Sequence, residues 1–180
     1  MAKTFPTHHA RSPEYALLGF LYLQSNHGYN LHRMLIAELG ENWHVSQSQT
    51  YSILKRLEAQ GFVYSTTVAQ DKLPDIQYLK ISPTGRRRFK TWLEAPTGSS
   101  ARSIRLEFIT RLYFARKISP EKIQLMLTAQ TSEIKKMLVW LEASLAEIPE
   151  DQLFNRLSQQ LRIRQLRSIV DWLEECRQAF

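Results

Sequence analysis

The sequence predicts a mostly helical protein in two parts, with one β-hairpin set inside the first part. Three observations carry that prediction. Apolar residues recur at helical spacing through most of the 180 residues. The period shortens to two only over residues 62–82, on either side of "DKLPD". The turn-forming run "APTGSSARS" at 95–103 then separates the hairpin part from a second stretch that is helical throughout. The expected domains are 1–94 and 95–180.

Composition narrows the class. Apolar residues make up 43% of the chain, which is globular and long enough to bury a core. The formal net charge is +7 and the pI about 9.7, a balance that favours polyanionic partners, nucleic acid before an anionic membrane surface. That excess is spread: residues 1–94 hold 11 basic and 7 acidic side chains, and the rest 13 and 10. The single cysteine, Cys176, excludes an internal disulfide and a cysteine zinc site. It lies at helical spacing from Leu173 and Phe180, so it is read as a core thiol. The opening "MAKTFPTHHARSPEY" has no long apolar run, and no later stretch reaches the ~18 uninterrupted apolar residues of a membrane span. No leader and no membrane partner are expected, and the expected location is cytoplasmic.

The elements follow in order. Residues 1–11 read as a loose polar arm with His8 and His9. Ser12-Pro13-Glu14 then opens a helix, with Ser as cap, Pro at the first helical position and an acid in the first turn. That helix is apolar on nearly every side to about Gln24, so it belongs in the middle of a small core. "SNHGYN" breaks it, and a second helix carries Leu31, Met34, Leu35 and Leu39 on one side before Gly40 stops it. A third, in "VSQSQTYSILKRLEAQGFV", is capped by Ser46 or Ser48 and ended by Gly61. Strands at 62–70 and 76–82 flank a turn at 71–75, and a helix follows from Pro83 to Glu94. The second part holds a helical segment at 104–117. Ser119-Pro120-Glu121 then repeats the earlier helix start and opens a long helix to about Ile148. Another follows from Glu150-Asp151 almost to Phe180.

Three helices followed by a two-stranded hairpin is the winged helix-turn-helix order, whose third helix lies in the major groove. Placing Leu54 at the centre of that helix's buried face turns Thr50, Tyr51, Leu54 and Leu57 inward, at about 100° per residue. Ser48, Gln49, Ser52, Lys55 and Arg56 then share the outer side. Glutamine can pair bidentately with adenine and serine with several base edges, and the residues nearest the helix start, with Gln47, are best placed to read. Lys55 and Arg56, two turns on, suit phosphates. A polar outer face is more often merely solvated. The conjunction of helix order, hairpin and net charge favours a DNA reader.

The same residues resemble the PadR-like transcriptional regulators. "LLGFLYLQSNHGYNL" (17–31) is similar to that family's first helix and His-Gly-Tyr turn. "SQSQTYSILKRLEAQGFV" resembles its reading-helix segment, and "QYLKISPTGRRRF" (77–89) its Tyr-x-Leu-Thr-x-x-Gly after the wing. "RLEFITRLYFA" (105–115) and the helices beyond it are similar to the C-terminal domain of the larger, virulence-activator-like subgroup. The resemblance implies a homodimeric regulator of double-stranded DNA, most often a repressor, with no cofactor, and some relatives answer to small aromatic compounds. It places the reading helix over Ser48 to Leu57, which adds Thr50 to the contact set. Tyr51 falls on the family's characteristic tyrosine, where a helix anchor, a phosphate contact and core packing all stay open. Lys72 is the one basic residue at the wing tip, and Asp71 and Asp75 flank it where the family usually carries Arg or Lys. Arg86, Arg87 and Arg88 follow the wing.

In the second part, the apolar stripes need more partner surface than one small domain supplies. Homodimerisation through Leu106, Phe108, Leu112, Leu153, Leu157, Leu161, Leu166, Val170 and Leu173 meets that need, and a bundle closed within one chain is the competing arrangement. Trp92, Trp140 and Trp172 are candidates to line an effector pocket, or else core residues.

Catalysis is not expected. The chain lacks a Walker A loop, a GxGxxG, an HExxH and a nucleophile context for Cys or Ser. Its five histidines lack metal-ligand spacing, and His32 and His44 read as surface or turn residues. The alternative to a DNA-binding regulator is a winged-helix protein-interaction module, which would bind duplexes without sequence preference and with little response to salt.

Overall fold

Almost every side chain of "EYALLGFLYL" is apolar, and in the computed structural model these residues form α1 (Glu14–Leu23), buried from Ala16 through Leu21. The structure describes residues 13–70 and 73–180, with side chains outside 68–76. The chain divides into two compact units, Met1–Ala95 and Pro96–Phe180. The arm with His8 and His9, and the expected cap Ser12, lie outside the described residues.

In the first unit α2 (Gly28–Leu39) packs Leu31, Leu35 and Leu39 inward. Its cap is His27, whose Nδ1 accepts from the Asn30 N–H at 3.3 Å. Gly40 ends it in the right-handed region, and Gly61 (φ 72) is the one positive-φ glycine among the described residues. α3 (Gln47–Ala59) starts at Ser46. The wing is β1 (Val63–Gln70) and β2 (Leu73–Ile81), antiparallel from Val63↔Ile81 to Gln70↔Leu73 with a shift in register between Val68 and Gln70. β2 therefore begins three residues earlier than the period-two pattern predicts. In a two-stranded ribbon both strands are edges, where a proline such as Pro74 is tolerated. Asn26, between α1 and α2, forms a third rung by exchanging backbone hydrogen bonds with Leu79 (3.2 and 2.9 Å).

α4 (Pro83–Glu94) is capped by Ser82, which accepts from the Gly85 N–H at 3.0 Å and donates to the Gly61 carbonyl at 2.7 Å. One serine thus fixes the start of α4 to the end of α3. Phe89 and Trp92 turn inward, and Trp92 stacks on Tyr15 at 4.6 Å between ring centroids.

The second unit departs from its expected helices at two starts. The segment expected as one helix opens with a short turn, α5 (Ala101–Ser103), then widens to a π-helical stretch (Ile104–Phe108) before α6 (Ile109–Ile118). Ser119 does not cap as its sequence suggests; a 3-10 turn (Pro120–Lys122) leads into α7 (Ile123–Glu147) with no side-chain cap bond. α8 (Leu153–Ala179) runs back along α7, with Arg167 on Glu142 (2.6 Å) and Gln124 on the Arg177 carbonyl (3.1 Å) marking the antiparallel register. Ile104, Phe108, Leu112, Leu127, Ile134, Leu141, Ile163, Leu166 and Leu173 form its core, with Cys176 packed against them.

Candidate nucleic-acid interface

α3 owes its start to a capping box. The Ser46 hydroxyl accepts from the Gln49 N–H at 3.2 Å, and the Gln49 side-chain carbonyl accepts from the Ser46 N–H at 2.8 Å. Two orphan donors are satisfied, and Gln49's acceptor oxygen is occupied within the helix start. Gln47 and Ser48 in the same turn are exposed, and no described side chain takes them up.

The inward face is Thr50, Ile53, Leu54 and Leu57. Ile53 moves its centre about 50° away from the direction that Leu54 alone would set, at 100° per residue. That rotation corrects the readings of Tyr51 and Arg56, and burial corrects that of Thr50. Tyr51 is 44% exposed instead of inward, its ring lying across α2 where a Cβ on Gly28 would stand 2.7 Å from it. Thr50, which the resemblance put among the DNA contacts, is fully buried. Its hydroxyl bonds the Ser46 carbonyl (3.2 Å) and joins His32 Nδ1 of α2 at 3.0 Å. Arg56 swings to the flank. The outward line is then Ser48, Ser52 and Lys55, all exposed, although the Ser52 hydroxyl donates to the Ser48 carbonyl at 2.9 Å.

Arg56 and Arg88 meet at a residue the sequence did not mark. Glu14, read there only as a first-turn acid, is buried beneath them: Arg56 Nη2 lies 3.1 Å from its Oε2, and Arg88 Nη2 bonds its Oε1. Arg88 also sits 4.2 Å over the Phe62 ring, so it is a structural member of the post-wing run and not a free cation. Arg86 lies over Tyr22 at 5.1 Å. An acid alone inside an apolar helix was the signal available. His32, expected at the surface, is half-buried for the same reason as Thr50: the two bond each other between α2 and α3. Lys72 lies outside the described residues.

The residues read as an interface between copies divide in two. Leu106, Phe108, Leu112, Leu166 and Leu173 are buried inside their own chain, and Val170 packs against the same core, so they are not free surface. This is a correction, and for Phe108, Leu112, Leu166, Val170 and Leu173 its cause is the closure of α6, α7 and the second half of α8 on one another. Leu153, Leu157 and Leu161 are exposed, as is Phe154 at 80%. The α7–α8 register, set by Gln159 on the Leu141 carbonyl and the Ser144 hydroxyl, brings exposed Trp140 level with Leu161. The three tryptophans read as pocket candidates do not converge: Trp92 is packed in the first unit and Trp140 is exposed. Trp172 lines a cavity of about 470 Å³ with Ile104, Ile109, Ile169, Arg105 and Arg164.

Among the described residues no group of His, Cys, Asp or Glu is placed to hold a metal ion, and no helix is long and apolar enough to cross a membrane.

Three helices and a two-stranded wing in this order, joined at Ser82 and Asn26, define a winged helix-turn-helix domain. Residues 17–91 match the Transcriptional regulator PadR-like family, and residues 104–180 match Virulence activator alpha C-term. The chain carries a PadR-like regulator domain followed by a C-terminal domain of the virulence-activator type. It is 30% identical over 112 residues to the Negative transcriptional regulator PadR of Bacillus subtilis (61% of this chain, 59% of that one). It is 33% identical over 82 residues to the Probable transcriptional regulator Rv1176c of Mycobacterium tuberculosis (46% and 43%). The matched stretches thus span less than two thirds of either curated relative. Among solved structures it is similar to Bacillus subtilis PadR in complex with operator DNA, with TM-score 0.46 and 22% identity over 98% of this chain and 100% of that one. It is also similar to the Vibrio cholerae virulence activator AphA, with TM-score 0.39 and 21% identity over 93% and 97%.

Proposed function

We propose that this protein is a transcriptional repressor that binds a two-half-site DNA sequence as a homodimer, reading it with α3. The observation that carries the reading is the outward line of α3. Ser48, Ser52 and Lys55 stand exposed along the second helix of a helix-turn-helix, with Gln47 exposed at its start and no side chain from another described element bonded to them. Their chemistry suits base edges and then phosphate, in that order along the helix. The PadR-like match over residues 17–91 supports it, and the similar protein of Bacillus subtilis is a negative regulator.

The dimer rests on the bare end of the α7–α8 hairpin. Leu153, Phe154, Leu157 and Leu161 recur at helical spacing on the first half of α8 and are about half exposed or more. Burying each leucine gains about 1.5–3 kcal/mol, which a second copy supplies to both partners at once. Two-fold pairing would set the two reading helices about 34 Å apart, on successive major-groove turns.

Effector response, where the family resemblance points, would centre on the cavity beside Trp172, whose apolar wall and two arginines suit a small aromatic acid. Titration of such acids against tryptophan fluorescence tests this; a signal that persists when Trp172 is replaced by Phe would remove the cavity from consideration.

The experiment that tests the function is selection of duplex DNA from a random pool by the purified full chain, with the mass of the bound species measured. Enrichment of a two-half-site sequence on a dimer is the expected result. Binding without enrichment, and with little response to salt, would replace the regulator by a winged-helix protein-interaction module.

A further inference from the structure

We infer that Glu14 is a positioning residue for the reading helix: it binds Arg56 to the flank of α3 and so withholds that cation from the DNA backbone. The inference rests on the DNA-reading assignment of α3 and goes beyond it, because it divides two adjacent cations that the sequence treats alike.

The geometry is specific. Glu14 stands at the first position of α1, with its side chain 3% exposed. Its two oxygens are divided between helices: Oε2 takes Arg56 of α3 at 3.1 Å, and Oε1 takes Arg88 of α4. Arg88 cannot leave readily, since its guanidinium is also laid on the Phe62 ring at 4.2 Å and its side chain is only 19% exposed. Arg56 is the outer member, with its side chain 49% exposed. A carboxylate so deeply buried is costly unless paired, and hydrogen bonds between ionised groups are stronger than neutral ones. Drawing Arg56 away to a phosphate would leave Glu14 with one cation at a site water barely reaches. Lys55, one residue earlier, faces no such competitor among the described residues; it is exposed on the outward line with Ser48 and Ser52.

The consequence is countable. Each phosphate neutralised by a protein cation steepens the fall of log K with log salt by about 0.9, and slope here means that steepness. Lys55 contributes to that slope and Arg56 does not. Glu14 also links α1, α3 and α4 through one carboxylate, so the angle at which α3 leaves the domain is tied to the helix following the wing.

The test measures binding of the full chain to a short mixed-sequence duplex across a range of salt, for wild type and three variants. Lys55→Gln should lower the slope by about 0.9 per bound protomer, and Arg56→Gln should leave it unchanged. Glu14→Gln, which keeps the shape and removes the charge, should loosen the hold on Arg56 and raise the slope, by up to about 0.9 per protomer. Over a fourfold rise in salt it would then lose up to about 3.5-fold more affinity per protomer than wild type. If Glu14→Gln fails to fold by circular dichroism, Arg56→Gln decides alone. A slope that falls in Arg56→Gln as it does in Lys55→Gln overturns the positioning role while leaving α3 as the reader. A wild-type protein that binds no duplex overturns the reading of α3 and this inference together.

Discussion

Gln49 carries two assignments that compete for one oxygen. Its side-chain carbonyl closes the capping box on Ser46, and the same atom would be needed for a bidentate pair with adenine. Gln49→Ala and Ser46→Ala should therefore each lower stability by about 1 kcal/mol, as loss of a helix cap does, read by chemical denaturation. A Gln49→Ala protein of unchanged stability but altered base preference would return this residue to the base-reading set. Cys176 gives a second expectation at this scale. Burial first, and the neighbouring Glu175 second, push its thiol pKa up, so the thiolate is scarcer near pH 8 than for a free cysteine. Alkylation of the folded protein should be slower than that of the protein in denaturant, and should accelerate as pH rises; equal rates would contradict the packing at the base of α8. The outward placing of Ser48, Ser52 and Lys55 was legible in the sequence because apolar periodicity marks the opposite face. Glu14 and His32 were not, because their partners lie 42, 74 and 18 residues away and periodicity is blind to paired polar groups.

Between elements, α4 and the wing approach each other closely at Gly85. A Cβ there would stand 2.1 Å from the Phe62 carbonyl oxygen and 2.9 Å from the Ile81 side chain, so the first turn of α4 lies directly on the entry to the wing. The clash is with backbone, which cannot rotate aside. Gly85→Ala should destabilise the first unit by about 1–3 kcal/mol, the usual range for overpacking, measured as a lowered denaturation midpoint. A neutral effect would mean that α4 and the wing can separate without loss. The order of helices and hairpin was readable from the change of period, and most helix ends from Ser, Pro and Gly. The π-helical stretch was not: Ile104–Phe108 has the same apolar spacing as an ordinary helix, and one extra residue per turn leaves no mark in composition. The start of β2 was misplaced because "DKLPD" has turn composition, whereas pairing across a two-stranded ribbon continues past a proline.

For the whole molecule, the sequence put one apolar stripe along the last helix and asked whether it closes within the chain or between two chains. The structure divides that stripe by position. Ile163, Leu166 and Leu173 close within the chain, and Leu153, Phe154, Leu157 and Leu161 remain bare. Spacing alone could not show the division, because both halves have the same period. It also decides which variants are informative. Deleting 150–180 would take Ile163, Leu166 and Leu173 out of their own core and unfold the second unit. Phe154→Glu with Leu157→Glu leaves that core intact and places charge on the bare half. The doubly substituted protein should sediment as a folded monomer and lose the two-half-site preference, while keeping its helical circular dichroism. A dimer that survives the two charges would move the interface off α8.

The rung between Asn26 and Leu79 has a consequence for how such a chain can change over generations. Because the linker between α1 and α2 is hydrogen-bonded into the root of the wing, its length is not free to drift. One residue gained between Gln24 and His27 would slide Asn26 off Leu79 and take from the amides of both residues the partners they have here. Insertions and deletions in descendants of this gene should therefore spare that linker and collect elsewhere, making its length a marker of descent.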